Sequence, residues 1–117
     1  MDLYCFPAKC TRVVDGDTVE VEFFLLPEKV FPQIKMTQKL RLLGVNTPEL
    51  HSKNAEEKTA AYNAKTFTTS EVLNKDVVIN ITGSDAFGRL LTTLYIDGEN
   101  LNALLLHDGF AKPYERG

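Results

Sequence analysis

The stretch Arg41-Leu42-Leu43-Gly44-Val45-Asn46-Thr47-Pro48-Glu49 is the segment from which the rest of the chain can be read. Its apolar residues predict the buried end of a β-strand, and the glycine allows the chain to bend or another backbone to approach closely. The threonine precedes a proline and is biased toward an extended conformation, which stiffens the exit from the strand. A strand end flanked by a guanidinium, an amide and a carboxylate indicates either a binding site or a strand that runs into a polar turn.

The composition is that of one ordinary globular domain. The chain has 117 residues, of which 44% are hydrophobic and 25% are charged. This length suits a single core, so we predict one domain over residues 1–117. The net charge of −3 is less typical of a protein that makes extensive phosphate contacts, but it permits a small, local, positive site.

The sequence shows neither a signal peptide nor a membrane span. The N-terminal residues lack a positive region followed by an apolar one, and no apolar run approaches the length of a span. We therefore expect a cytoplasmic protein without a membrane partner. We also expect it to be a monomer. Cys5 and Cys10 lack metal-type spacing, and His51 and His107 complete no zinc set with them, so we expect free thiols.

The first two predicted strands form a hairpin. Residues 4–14 read as the first strand, and apolar residues recur at every second position from Val19, as in a half-buried second strand. Between them lies the turn signal Asp15-Gly16-Asp17-Thr18. The hairpin therefore carries two aspartates at its tip, although a plain turn would explain the same residues.

Residues 25–39 are the least regular part of the sequence. Pro27 and Pro32 interrupt this segment, and the third strand is predicted to resume near Gln38. We expect a long excursion between the second and third strands. It could be a flap over a substrate groove or a contact surface, but the pattern favours a hairpin extension packed on the side of the barrel.

The strongest helix signal covers residues 54–73. Asn54 can cap this helix, and Glu57 follows three residues later, as in a capping box. Small residues and one aromatic residue repeat at helical spacing and predict a narrow buried face. They are Ala61, Ala64, Phe67, Thr68 and Val72.

The remaining elements complete the predicted topology. Residues 77–81 and 90–96 read as strands separated by a loop over residues 82–89, and residues 100–107 read as a short helix after which residues 110–114 leave the core. The order is three strands, a helix, two strands and a helix. This order predicts a mainly β, α+β fold: a five-stranded OB-type barrel with a helix between strands 3 and 4 and a short helix after strand 5.

Polar groups gather at several strand ends and loops of this topology, and their types suit phosphodiester hydrolysis. Its transition state gathers negative charge, which a hard cation with oxygen ligands and forked guanidinium donors can stabilise. A carboxylate can take a proton from water or orient it for attack. The candidates are Asp15, Asp17, Arg41, Asn46, Thr47, Glu49 and Arg89.

Three segments resemble, in the same order, the motifs of the staphylococcal nuclease (thermonuclease-like) family. They are residues 13–19 (Val-Val-Asp-Gly-Asp-Thr-Val), the 41–49 segment quoted above and residues 85–89 (Asp-Ala-Phe-Gly-Arg). Residues 97–102 and 109–111 also resemble the segment around the family's second helix. The resemblance covers about Lys9 to Tyr114, and three motifs in one order are far more specific than any one alone.

The resemblance implies an OB-type barrel and a calcium-dependent nuclease that cleaves DNA and RNA with little sequence preference. Asp17, Asn46 and the backbone carbonyl of Thr47 would be the calcium ligands. We expect Asp15, close to the metal but not bound to it, to compensate partly for the charge that Asn46 lacks. Family nucleases carry an aspartate where this chain has Asn46. An amide oxygen can coordinate calcium but adds no full charge, so we expect weaker metal binding.

The resemblance also implies the catalytic and nucleotide-binding residues. Arg41 and Arg89 would grip the scissile phosphate, and Glu49 would act on the attacking water as a general base or orienting acceptor. Phe87 and Tyr114 would stack against the nucleotide, which is a sequence-tolerant contact. Residues 85–89 depart from the best-known family nuclease at two positions. Ala86 replaces a basic residue, and Phe87 replaces a phenol side chain.

Two other functions are compatible with the sequence. One is a catalytically weak or inactive nucleic-acid-binding OB-fold domain, which Asn46 and the acidic net charge favour. The other is a protein-interaction domain that uses the apolar excursion. Glu49 favours the enzyme, because a pure binder has no need of a carboxylate beside a phosphate. Arg89 could instead be a structural arginine that satisfies loop carbonyls, and Tyr114 a surface aromatic.

Overall fold

The computed structural model describes residues 4–26 and 28–114. Its helices are α1 (Ala55–Val72) and α2 (Leu101–His107), and neither combines the length and the apolar character that a membrane crossing needs. Its strands are β1 (Cys5–Asp15), β2 (Thr18–Phe24), β3 (Lys35–Leu42), β4 (Val45–Asn46), β5 (Asp76–Ser84), β6 (Leu90–Ile96), β7 (Glu99–Asn100) and β8 (Lys112–Pro113).

Five of these strands close into a barrel. β1 pairs with both β2 and β5, β2 pairs with β3, and β5 pairs with β6, all antiparallel. A parallel pairing of β3 with β6 closes the barrel. The short strand β7 pairs antiparallel with the end of β6. With α1 between the third and fourth barrel strands and α2 after the fifth, the predicted α+β OB-type fold is confirmed.

The barrel interior is apolar, and its pattern follows from the alternation of side chains along each strand. In β2, Val19, Val21 and Phe23 are buried, as the period of two predicts. Cys10 of β1 lies in the same core as a free thiol whose pKa is raised by burial, and Cys5 is free and exposed. The prediction of free thiols is therefore confirmed.

Helix α1 begins with the predicted cap but with a different second contact. The side chain of Asn54 accepts a hydrogen bond from the Glu57 backbone N–H at 3.0 Å. The carboxylate of Glu57 accepts a 2.9 Å hydrogen bond from the Ser52 hydroxyl, and that hydroxyl accepts one from the backbone N–H of Asn54. Ser52 thus takes the place that a direct capping-box contact would have.

The small-residue face of α1 packs against the tip of the β1–β2 hairpin, which carries Asp15 and Asp17. Ala61, Ala64 and Thr68 are buried there. The hydroxyl of Thr68 donates a 2.7 Å hydrogen bond to the carbonyl oxygen of Gly16, at the tip between β1 and β2. Because a backbone packs closely only against small side chains, the composition of this helix face sets the position of the hairpin tip.

Two boundaries predicted from the sequence are wrong. β3 begins at Lys35 rather than near Gln38, because Phe24 pairs with Lys35 and extends the hairpin; the connecting loop is therefore residues 25–34, of which Pro27 lies outside the described residues. β5 continues to Ser84 through a bulge, since Gly83 and Ser84 pair with β6. The described residues Leu25, Leu26 and Glu28 line a groove with Phe23 and Pro7, away from the hairpin tip.

Residues 110–114 do not leave the core as predicted. The ring of Phe110 stacks on Phe67 of α1 with centroids 4.5 Å apart, and Ala111 is buried. β8 then pairs with β4. A short apolar pair followed by a two-residue strand has too little periodicity to be recognised in the sequence.

We predict that Gly16→Ala lowers the free energy of unfolding by about 1–3 kcal/mol, the usual cost of overpacking. The added Cβ would lie 2.8 Å from the Cβ of Ala64 and 2.9 Å from the Cγ2 of Thr47. Gly83→Ala is the matched control, because its Cβ would lie 3.9 Å from Leu91, an ordinary contact. Urea denaturation of both variants measures the effect, and equal stability of the two would contradict it.

Candidate active site

The three motif segments meet at one groove of about 650 Å³ beside the barrel. It is formed by the tip of the β1–β2 hairpin, the end of β3 with the segment that follows, the loop before β6, and Tyr114. Eight of the nine site residues predicted from the sequence line it, and Thr47 is buried behind it. The eight are Asp15, Asp17, Arg41, Asn46, Glu49, Phe87, Arg89 and Tyr114.

The carboxylate of Asp17 joins two of the motif segments. Its Oδ2 accepts a 3.0 Å hydrogen bond from the backbone N–H of Thr47, and its Oδ1 accepts a 3.1 Å bond from the hydroxyl of Thr18. The residue is only 7% exposed. A buried carboxylate must be matched by donors, so Asp17 ties the hairpin tip to the segment after β4.

The guanidinium of Arg41 lies between the predicted metal ligands. Its Nη2 is 3.3 Å from Oδ2 of Asp17 and donates a 3.4 Å hydrogen bond to Oδ1 of Asn46. Its Nη1 donates to the backbone carbonyls of Leu42 and Val45 at 2.9 and 2.8 Å. These contacts fix the arginine by both its backbone and side-chain partners, so the group is held in one orientation.

The oxygen atoms around this arginine are the kind of ligand that calcium prefers, but they carry little negative charge. Two side-chain oxygens, from Asp17 and Asn46, already converge on one positive nitrogen, and all the candidate donors are oxygens, as calcium prefers. Within residues 4–26 and 28–114, His, Cys, Asp and Glu form no group of three that could hold a metal. A register shift between Val13 and Asp15 turns Asp15 toward the groove as well.

The loop before β6 is organised by Asp85, which the sequence analysis did not single out. Its carboxylate accepts hydrogen bonds from the backbone N–H groups of Phe87 and Arg89 and a 2.7 Å bond from Nε of Arg89. Arg89 Nη1 also donates to the hydroxyl of Thr18 at 3.5 Å. The side-chain hydrogen bonds that Arg89 makes to described residues thus go to a carboxylate and a hydroxyl. The spacing of an aspartate four residues before an arginine was the available signal.

Two exposed rings stand at the groove, each beside an arginine. Phe87 is 84% exposed, and the guanidinium of Arg89 lies 5.5 Å from its ring centroid. Tyr114 is 51% exposed, and Arg41 lies 5.7 Å from its centroid. The backbone N–H of Tyr114 donates to the carbonyl of Gly44 at 2.9 Å, which holds this end of the chain at the groove. Such rings suit stacking on unpaired bases.

Glu49 is exposed on the segment between β4 and α1. Its backbone N–H donates to Oε1 of Glu57 at 3.5 Å, and its carbonyl accepts from the N–H of Ser52. The start of α1 therefore contacts the backbone of Glu49 while its side chain lines the groove. The capping-box pattern places Glu57 only at the helix start. Its contact with the backbone of Glu49 cannot be read from the sequence, because it depends on the fold of residues 49–54.

The groove has a net charge of −2, since four carboxylates face two guanidiniums. Each guanidinium is in contact with a carboxylate: Arg41 with Asp17, and Arg89 with Asp85. A phosphate anion would enter a site of its own sign, and a divalent cation would cancel that charge. Electrostatics therefore favour a bound cation whenever a phosphodiester is bound here.

We predict that the loop around Asp85 loses its order only at a pH below 3.8, the ordinary pKa of this carboxyl. Burial works to raise the pKa of the Asp85 carboxyl, but hydrogen bonds from the backbone of Arg89 and Phe87 and from the Arg89 side chain, with its charge, outweigh burial and hold the pKa below its ordinary value of 3.8. The carboxylate's contribution is therefore present above the unfolded pKa and is lost as the pH falls through the folded one.

An NMR titration of the Phe87 and Arg89 amides checks this. The midpoint should lie below 3.8, and Asp85→Asn, which has no carboxyl to titrate, should show no such transition. The amide of Leu94 in the core reports whether the barrel itself persists. A midpoint at or above the ordinary value would contradict the prediction.

Comparison with known proteins places the chain in one family. A family model described as staphylococcal nuclease homologue matches residues 39–117. The chain is 34% identical over 130 aligned positions to an uncharacterised protein of Methanocaldococcus jannaschii, a match that covers 91% of this chain and 58% of that protein. It is 29% identical over 106 residues to a thermonuclease of Staphylococcus hyicus, covering 89% and 57%.

A thermonuclease of Staphylococcus intermedius is 27% identical over 103 residues, a match that covers 86% of this chain and 55% of that protein. The chain thus spans somewhat more than half the length of these relatives. The match to the family model extends over more than half of the 117 residues and includes the segments that carry Arg41, Glu49 and Arg89. The chain belongs to the staphylococcal nuclease family.

Proposed function

We propose that this protein is a calcium-dependent endonuclease that hydrolyses phosphodiester bonds of DNA and RNA with little sequence preference. Family membership supports a nuclease-type hydrolase that acts on nucleic acid. The observation that carries the proposal is the contact of Arg41 with both Asp17 and Asn46 in the groove that Arg89 and Glu49 also line. The groove therefore brings together hydrogen-bond donors for a phosphate, a candidate general base and candidate ligands for a cation.

In this proposal the two arginines bind the scissile phosphate. Arg89 is held by Asp85 through Nε, so its remaining N–H groups are oriented donors, and Arg41 is fixed by two backbone carbonyls. Preorganised donors stabilise the charge of the transition state without reorganisation at the moment of reaction. Glu49, exposed at the groove, takes a proton from the attacking water or orients it.

The cation would be held by Asp17, Asn46 and the backbone carbonyl of Thr47, with Asp15 in support. Bound there, it would neutralise the negative groove and the developing phosphoryl charge. Phe87 and Tyr114 would stack against bases on either side of the cleaved bond. Stacking on exposed rings is compatible with any base and accounts for the low sequence preference.

A second candidate is a nucleic-acid-binding barrel of weak or absent activity. It is favoured by Asn46, which adds no charge at a ligand position, and by the pairing of both groove arginines with carboxylates. These contacts lower the charge available to the cation and to phosphate. Binding of nucleic acid without cleavage would identify this candidate.

The proposed function predicts cleavage of single-stranded DNA and of RNA in calcium, little cleavage in magnesium alone and none in chelator. Oxygen ligands from separate loops suit calcium's flexible geometry better than the strict octahedron of magnesium. Gel analysis of both substrates under the three conditions measures the effect. Full activity in chelator, or equal rates in the two metals, would contradict calcium dependence.

Two variants make that assay specific to the groove. Glu49→Gln keeps the shape of the side chain and removes the proton acceptor, so it should abolish most cleavage while nucleic-acid binding persists. Glu99→Gln changes the charge equally at an exposed position on β7 and should leave cleavage unchanged. Equal activity of Glu49→Gln and wild type would remove Glu49 from the mechanism.

We predict that Asn46→Asp tightens calcium binding by about tenfold or more, because it adds a full negative charge beside the proposed cation. The carboxylate has nearly the shape of the amide, so little repacking is needed. Asn63→Asp adds the same charge on the exposed face of α1 and is the matched control. Calorimetric titration with calcium compares the three proteins. Should Asn46→Asp bind no more tightly than the control, position 46 is not a ligand position.

A further inference from the structure

We propose that Asp85 is a positioning residue of the groove, one that fixes the guanidinium of Arg89 for phosphate and the backbone that carries the ring of Phe87. The role assigned to Arg89 rests on the proposed function. The carboxylate of Asp85 accepts three hydrogen bonds from the loop of residues 85–89. Oδ1 accepts from the N–H groups of Phe87 and Arg89 at 2.9 and 3.0 Å, and Oδ2 accepts from Nε of Arg89 at 2.7 Å.

The backbone closes the loop around the same residue. The N–H of Asp85 donates to the carbonyl of Arg89 at 2.9 Å, and the N–H of Gly88 donates to the carbonyl of Asp85 at 3.2 Å. Gly88 has a φ of +80°, which the tight turn requires. The carboxylate therefore lies inside a closed five-residue turn whose arginine is both its last residue and its ion-pair partner.

Among the described residues, this arrangement leaves Nη2 of Arg89 and the second N–H of its Nη1 available for a ligand. The Nε edge of the guanidinium is taken by Asp85, and Nη1 lies 3.5 Å from the hydroxyl of Thr18, which in turn donates to Asp17. The guanidinium is thus oriented between the loop and the aspartate hairpin. A long flexible side chain held in this way loses less entropy when it binds phosphate.

Asp85 acts through these neighbours and not on the substrate. Its side chain is 10% exposed, and its described hydrogen bonds all go to its own loop. A free carboxylate would repel a phosphate, but this one is paired at short range with Arg89. Phe87, which is 84% exposed, depends on the same carboxylate through its backbone N–H.

The substitution Asp85→Asn separates this role from simple loop stability. The amide oxygen can still accept the two backbone N–H groups, but the NH₂ group then faces Nε of Arg89, two donors without an acceptor. We expect kcat to fall about tenfold or more with a small change in KM, the pattern of a lost transition-state contact. In an Arg89→Ala background the same substitution should have no further effect on kcat.

A direct readout on the arginine makes the test independent of cleavage. In ¹⁵N NMR spectra, Nε–H of Arg89 should give a separate, slowly exchanging signal in wild type and a solvent-averaged one in Asp85→Asn. Asp85→Glu, which keeps the charge but moves it, should lose the same signal. Glu22→Gln is the control, since it removes a carboxylate from the surface pair with Lys35 and should change neither kcat nor this signal.

Two results would overturn the positioning role: an unchanged Nε–H signal in both Asp85 variants, or additive losses of kcat in the double variant. A wild-type chain that cleaves no nucleic acid would refute the proposed function alone. In that case the Nε–H signal, together with the affinity for an uncleaved single-stranded oligonucleotide, still decides whether Asp85 positions Arg89 for binding.

Discussion

The rest of the site depends on one buried carboxylate. Asp17 is almost fully removed from solvent, so its charge must be matched by donors, and these come from distant parts of the chain: the N–H of Thr47 and the guanidinium of Arg41. The hairpin tip that carries Asp17 is in turn seated on α1 through Gly16. Satisfying one buried charge therefore aligns the hairpin, the end of β3 and the segment before α1.

The groove uses carboxylate–arginine pairs to orient its donors, and this has an electrostatic cost. Arg41 and Arg89 are each held by an acid, which fixes their direction but cancels much of their charge. Any anionic ligand must therefore compete with resident carboxylates, or arrive together with a cation. The carboxylates that orient the guanidiniums thus weaken the attraction of the groove for an anion. The uncharged amide of Asn46 gives a cation less negative charge than a carboxylate at that position would.

The parts of the fold with strong periodicity could be predicted from the sequence, and the parts fixed by tertiary contacts could not. β2 is recognisable from the alternation of its apolar residues, and the start of α1 from its capping residues. The onset of β3 was missed because Lys35 and Thr37 carry no buried pattern, and Phe110 was misplaced because its partner, Phe67, is remote in sequence. In the site, motif order identified the groove residues, but the contacts of Asp85 and Glu57 exist only once loops have folded.

Closure of the barrel rests on three described residue pairs between β3 and β6, from Leu40–Leu90 to Leu42–Thr92, fifty positions apart in the chain. Arg41 lies on one side of this seam, and Arg89 directly precedes the other. Contacts so distant in sequence carry a large loop-closure cost and set the pace of folding. A chain with its hairpins and helices formed but the seam open would have the circular dichroism of a folded protein, while its two groove arginines would lie apart. The presence of both guanidiniums in one groove therefore depends on the topology and not on the secondary structure alone.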